Sequence, residues 1–169
     1  MKIKQNYMKI GLVLTALALL LVAHPAMAGD LVPFKGKEVG AVTLGFFHFP
    51  FHDESISAEG KATHVGHYTL TGNFMVNLLA GTAAGVFTLT AANGDMLFLN
   101  MQGHLANPAD LTQTISIYVV TGGTGRFEGA SGNITSDNQL AFAVNLGISP
   151  NPYVAKLEGT ISTPGANKK

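Results

Sequence analysis

Apolar and polar residues alternate along most of the chain after Gly29, with the period of two that is typical of β-strands with one buried face. Clusters of Gly, Asn, Asp and Pro interrupt the alternation, and no stretch sustains the 3.6-residue period of an amphipathic helix. The pattern predicts eight strands, near residues 36–45, 56–64, 66–78, 82–92, 95–105, 112–121, 131–146 and 153–163.

The alternation also predicts which face of a strand is buried. In the last strand the odd positions from Tyr153 to Ile161 are apolar or Gly. In the third strand the even positions from Tyr68 to Phe74 are apolar or Gly. Asn93-Gly94 separates two apolar runs, and both residues tolerate the positive φ of a type I′ turn. We therefore expect neighbouring strands to pair antiparallel.

Eight strands of similar length joined by short turns fit either an up-and-down barrel or a sandwich. Several of the 20 glycines fall within or beside the predicted strands, where they permit the bends that closing a sheet requires. The sequence therefore predicts an all-β fold, an eight-stranded antiparallel up-and-down β-barrel, in a single domain over residues 29–169.

The first 28 residues have the features of a secretory signal peptide. Three lysines precede an uncharged apolar run from Ile10 to Ala23, and Ala26-Met27-Ala28 places small residues where signal peptidase cleaves. The run is shorter than the roughly 20 residues of a transmembrane helix. We predict that residues 1–28 are a signal peptide cleaved before Gly29, and that the mature protein is secreted or periplasmic.

Composition excludes several classes of function. The chain contains no Cys, so disulfides, thiolate metal sites and Cys nucleophiles are absent. Removing residues 1–28 takes away three of ten basic residues and none of ten acidic ones, which leaves a net charge of −3. This charge argues against binding to nucleic acid. A chain without Trp and with polar outward positions also lacks the aromatic girdles of an outer-membrane barrel, so we do not expect it to be membrane-embedded after cleavage.

A glycine-rich segment, Gly122 to Gly132, follows the apolar strand 112–121. It has neither the Gly-Lys-Ser/Thr end of a P-loop nor the spacing of a dinucleotide fingerprint. We interpret it as a tight irregular connection in which glycines turn the backbone and Phe127 closes one end of the core. The residues that carry this structural motif are Gly122, Gly123, Gly125, Phe127 and Gly132.

The same segment resembles the Gly-Gly-Thr-Gly-x-Phe-x-x-Ala-x-Gly signature of plant dirigent proteins and, more loosely, a stretch of allene oxide cyclases. A resemblance over most of the mature chain is to uncharacterised secreted bacterial proteins that also carry the segments 60–66 and 91–95. The resemblance implies a calycin-like eight-stranded β-barrel with an apolar cavity, commonly trimeric. No functional residue of either named family can be matched to this chain outside the glycine motif.

Chemistry-bearing side chains cluster between residues 46 and 68. The stretch from Phe46 to Glu54 contains four Phe and two His. If extended, it places Phe47, Phe49 and Phe51 on one side and His48 and His52 on the other. One interpretation is an aromatic lid over a ligand cavity, with His48, His52 and Asp53 as polar anchors. The other is a loop that folds its phenylalanines over the barrel end or into a subunit interface.

His64 is in phase with Tyr68 if the chain runs straight through Gly66, and it would then point into the barrel and need a hydrogen-bond partner. The alternative is a turn at Val65-Gly66, and in that case the alternation that includes Tyr68 would not predict the direction of the His64 side chain. Imidazole is a common metal ligand, but nothing brings His48, His52, His64 and His67 together. We therefore predict no metal site and no cofactor.

The sequence contains no Gly-x-Ser-x-Gly elbow and no His-Glu-x-x-His pattern, so whether the protein is an enzyme stays open. We predict a barrel that binds a small apolar ligand. The alternatives are a cofactor-independent isomerase or cyclase resembling allene oxide cyclase and a self-associating structural protein. The candidate ligand-binding residues are His48, Phe49, His52, His64 and Tyr68.

Overall fold

The computed structural model describes residues 30–163, and the predicted signal peptide lies outside them. Eight strands follow one another along the chain: β1 (Leu31–His48), β2 (Phe51–Ala62), β3 (Gly66–Asn77), β4 (Thr82–Ala91), β5 (Met96–Asn107), β6 (Asp110–Gly123), β7 (Gly132–Leu140) and β8 (Asn151–Ser162). Two short 3-10 helices, Gly125–Phe127 and Val144–Leu146, lie in the β6–β7 and β7–β8 connections.

Each strand pairs antiparallel with its neighbours in sequence, and β1 also pairs antiparallel with β8. The sheet is therefore a closed barrel in the order β1 to β8, and the predicted up-and-down barrel is confirmed. Closure leaves no unpaired strand edge, which allows a chain without disulfides to satisfy its backbone within one sheet. No helix in residues 30–163 is long and apolar enough to span a membrane.

The buried faces follow the predicted alternation. On β8 the odd positions Tyr153, Ala155, Leu157 and Ile161 are buried, and on β3 Tyr68 and Leu70 are buried. The predicted Asn93-Gly94 turn joins β4 to β5, and Gly94 has a φ of 87°. The φ of Asn93 is not positive, so the turn is not of type I′.

Three predicted strand boundaries are wrong by five or six residues, and one of them is the start of the second strand, which lies at Phe51 and not near residue 56. The seventh strand ends at Leu140, whereas the alternation predicts that it continues to residue 146. Beyond Leu140, the Asn151 side chain holds both backbone groups of Phe142, and Pro150 and Pro152 provide no N–H for a ladder. The first strand is longer than predicted, because residues from Leu31 onward pair with the end of β8.

The two ends of the barrel differ. At one end the core is closed by Phe34, Leu97 and Phe127, each of which is fully buried. At the other end, where the β1–β2, β3–β4, β5–β6 and β7–β8 connections lie, the interior opens as a cavity. The packed side chains of the closed end stabilise the fold, and at the open end the interior can be reached from outside.

Candidate functional site

The barrel interior contains a cavity of about 580 Å³ that reaches the open end. Most of its wall is apolar, and the central part is formed by Val42, Ile56, Phe74, Phe87, Met101 and Leu105. Phe87 stacks on Phe74 with ring centroids 5.9 Å apart and meets Tyr118 edge-on at 5.5 Å. A cavity of this size and lining is typical of sites for small organic molecules.

A buried carboxyl group lies beneath the cavity, on the core face of β1. Tyr68 Oη donates a hydrogen bond to Glu38 Oε2 at 2.9 Å, and Tyr153 Oη donates to Oε1 at 2.8 Å. Burial raises the pKa of Glu38, and the two tyrosine hydrogen bonds oppose that rise. Burial and the nearby Glu38 also raise the pKa of both phenols, which therefore keep their protons and remain donors.

Gly60 makes room for this arrangement. It is the register partner of Glu38 on β2, and a Cβ added there would overlap the phenol of Tyr68. Without a side chain at Gly60, the Tyr68 ring can lie across β2 and reach the carboxylate on the next strand.

A second carboxyl group, that of Glu54, faces the cavity near its mouth. The Glu54 side chain is only 15% exposed, and burial raises its pKa from 4.5 to about 7. The imidazole of His52 lies beside it, with Nδ1 3.6 Å from Glu54 Oε1. That distance is too long for a hydrogen bond.

Polar side chains of β6 and β7 form a network across the barrel from Glu54. The Asn138 amide nitrogen lies 3.2 Å from Ser116 Oγ and 3.3 Å from Thr114 Oγ1, and the Ser136 hydroxyl donates to Asn138 Oδ1 at 2.8 Å. Ser116, Thr114 and Asn138 line the cavity. Because these groups bind one another, this wall is polar but largely satisfied.

The predicted ligand-binding residues fall in different places. His52 lines the cavity. Tyr68 lies below the cavity, where its hydroxyl donates a hydrogen bond to Glu38. His48 and Phe49 are exposed at the open end.

His64 is exposed in the β2–β3 turn at the closed end, with a φ of 64°. Of the two predicted alternatives the structure has the turn, at Thr63–Val65, so the phase of β3 does not extend back to His64 and its side chain does not point into the barrel.

The side assignment of the Phe-rich segment is also wrong. Phe47 and His52 are cross-strand partners that both line the cavity, with ring centroids 5.8 Å apart. A bulge between Leu44 and Phe47 shifts the inward phase of β1 by one residue, and the chain reverses at Phe49–Pro50. Asp53, expected as a polar anchor, is exposed, and the neighbouring Glu54 faces inward instead.

The glycine-rich segment lies at the closed end, far from the cavity mouth. Phe127 is 0% exposed, and the Arg126 guanidinium lies over its ring at 4.8 Å while donating to the Val65 carbonyl at 2.8 Å. Gly125 has a φ of 57°, and a Cβ there would overlap the Asp95 carboxylate. The segment therefore packs the closed end and contributes nothing to the cavity wall.

Residues 30–163 contain no group of three or more His, Asp or Glu side chains close enough to hold a metal ion. His48 and His52 lie at the open end of the barrel, whereas His64 and His67 lie at the closed end. These four histidines therefore do not converge.

Comparison with solved structures identifies the fold. The chain is similar to the pterocarpan synthase dirigent protein GePTS1, with a TM-score of 0.58 and 10% sequence identity over 94% of this chain and 99% of that chain. The chain is a dirigent-like β-barrel. No family model matches the sequence, and no curated protein is significantly similar to it. At this identity the likeness concerns the barrel alone, so the dirigent-like fold assigns no activity to the cavity.

Proposed function

We propose that the protein binds a small apolar molecule inside the barrel. The observation that carries this proposal is the cavity of about 580 Å³, which reaches the open end and has a mainly apolar wall. Eight-stranded barrels are either filled by their own side chains or hold one small ligand. The open half of this barrel is not filled, so the second alternative is favoured.

The polar groups of the cavity fit a binding role. They lie at separate places and include Glu54 and His52 near the mouth, Asn138 on the opposite wall, and Tyr153 at the base. A ligand site of this kind uses its apolar wall for affinity and its polar groups to orient the molecule.

Blocking the cavity tests the proposal. Val42 lines the cavity and Thr43, the next residue, is exposed on the outer face. We expect Val42→Phe to remove a co-purifying small molecule detected by native mass spectrometry and solvent extraction, and Thr43→Phe to retain it. Equal retention by both variants would place the molecule outside the barrel, and a barrel that neither retains nor takes up any apolar molecule would contradict the proposal.

A second candidate function is a cofactor-independent isomerase or cyclase. It is favoured by Glu54, whose pKa of about 7 suits a group that takes up and returns a proton near neutral pH. This function predicts that the protein exchanges carbon-bound hydrogen of its retained molecule in D₂O. It also predicts that Glu54→Gln still binds the molecule but does not support the exchange. Binding without exchange in the unmodified protein would leave only the first function.

We further propose that the protein is exported and self-associates. The absence of Cys is compatible with an oxidising compartment, and mass analysis of the purified protein should find Gly29 at its N-terminus. On the outer wall, Val86, Phe98 and Val119 are exposed on three adjacent strands, around the exposed Asn100. Light scattering should show a homo-oligomer, a trimer by the resemblance, that Phe98→Ser dissociates.

A further inference from the structure

Glu54 has unused capacity to accept hydrogen bonds. Both oxygens of Glu38 receive a tyrosine hydroxyl, whereas within residues 30–163 no side chain or backbone group donates a hydrogen bond to Glu54. Its carboxyl group is nevertheless mostly buried and faces the cavity. Buried polar groups are normally paired. A molecule in the cavity that carries an O–H or N–H group would provide a donor in place of water.

The cavity wall, as formed by residues 30–163, also contains no permanent cation. Neither Lys nor Arg is among its lining residues, which include Glu54, with Glu38 beneath the base. The basic residues described by the structure lie elsewhere: Lys35, Lys37, Lys61 and Lys156 are exposed on the outer face, and Arg126 pairs with Asp95 at the closed end. The other titratable side chains that line the cavity are His52, His104, Tyr118 and Tyr153.

This distribution of charged groups favours ligands with some polar head groups over ligands with others. An ammonium group placed near Glu54 would gain a charge-assisted hydrogen bond, and a hydroxyl would gain a hydrogen bond to a carboxylate. A carboxylate in the same place would lie beside a like charge with no cation in the cavity wall to offset it.

We propose that the cavity selects amphipathic molecules whose polar end is an amine or a hydroxyl, bound by Glu54, and discriminates against molecules that end in a carboxylate. This inference rests on the proposed binding of apolar molecules and adds the head group to it. It makes Glu54 the residue that determines specificity.

Three probes with the same alkyl chain test the inference. The barrel closes within residues 31–162, so the chain from Gly29 onward retains every strand. Nile red, a neutral apolar dye, is bound to this chain at pH 8 and displaced by decylamine, decan-1-ol or decanoate. We expect decylamine to displace it best and decanoate worst, with about a tenfold or larger difference, the size expected for a hydrogen bond to a charged group.

Two matched variants on β2 locate the effect. Glu54→Gln removes the charge from the cavity, and Glu59→Gln removes a charge from the exposed face of the same strand. We expect the difference between decylamine and decanoate to disappear in Glu54→Gln and to persist in Glu59→Gln.

The outcomes separate the two proposals. Equal displacement by the three probes in the unmodified protein would overturn the head-group inference and leave apolar binding intact. A preference that survives Glu54→Gln would overturn the role of Glu54. Absence of Nile red binding and of any displacement would overturn the proposed function itself. The order in the unmodified protein is decisive even if Glu54→Gln does not fold.

Discussion

The two inward glutamates of this barrel have opposite surroundings. Glu38 lies in the closed half with a tyrosine hydroxyl on each carboxyl oxygen. Glu54 lies in the open half, where His52 Nδ1 is 3.6 Å away and no group within residues 30–163 donates a hydrogen bond to it. Both carboxyl groups are buried enough for their pKa values to rise. The difference shows that burial alone does not define a site: a satisfied buried group holds the fold together, and an unsatisfied one facing a cavity is available to a ligand.

The largest expected effect comes from the closed end. Phe127→Ala removes a fully buried ring from the segment that closes the barrel. We expect it to lower the free energy of unfolding by about 3–5 kcal/mol, the range for truncating a buried Phe. Urea denaturation followed by circular dichroism measures the change. A loss below about 1 kcal/mol would show that the closed end is not tightly packed.

Glu38→Ala should destabilise the protein by about 3 kcal/mol, because it leaves the buried hydroxyls of Tyr68 and Tyr153 without an acceptor. Glu38→Gln keeps one acceptor oxygen and serves as the matched variant, with a smaller expected loss in the same denaturation experiment. If alanine and glutamine are equally tolerated, the hydroxyls have another partner and Glu38 is not a structural group.

At neutral and alkaline pH, Glu54→Gln should raise the free energy of unfolding, whereas Glu38→Ala should lower it. The folded pKa of Glu54 is about 7, above the ordinary 4.5, so its contribution to stability is fully present below about pH 4.5 and is lost as the pH rises through 7. Gln does not titrate. The variant should gain stability over the unmodified protein across this range, by at most about 3 kcal/mol at pH 8.

Paired melting curves at pH 4 and pH 8 measure this gain. Glu59→Gln, on the exposed face of β2, controls for the loss of one charge and should show no such trend. A Glu54→Gln variant equally stable relative to the unmodified protein at both pH values would show that Glu54 titrates normally and is well solvated.

Phe47→Ala should have the smallest effect on stability, below about 0.5 kcal/mol, because the side chain is 55% exposed. Phe47 nevertheless lines the cavity mouth, so the variant should bind Nile red more weakly. Fluorescence titration beside a melting curve separates the two effects. A variant that loses stability without losing affinity would assign Phe47 to the fold and remove it from the site.

The period-two pattern was sufficient to predict the strands and their buried faces, because a strand with one buried face records its orientation in alternate residues. Closure into a barrel was predicted from the glycines beside the strands. The pattern fails where the phase changes. The bulge between Leu44 and Phe47 shifts the phase of β1, so the sequence pointed to His48 while Phe47 faces the interior. A bulge depends on pairing between strands, and a single strand's pattern does not reveal it. On β2 the phase is unbroken, and Glu54 faces inward with His52 and Ile56, whereas Asp53 is exposed.

Glu38 was missed for a different reason. It follows Lys35 and Lys37, and a charged run is typical of an exposed strand. Its phase with Phe34 and Val42 was the available signal, because all three lie at even positions of β1. The partners that make its burial tolerable, Tyr68 and Tyr153, come from distant strands, and only closure of the barrel brings them to it.

A crystal structure of the barrel soaked with decylamine tests the central claim most directly. We expect the alkyl chain to occupy the cavity and pack against its lining residues Phe74 and Phe87, with the amine nitrogen within hydrogen-bond distance of a Glu54 carboxyl oxygen. An interior filled by the protein's own side chains, or decylamine bound only on the outer wall, would contradict the account.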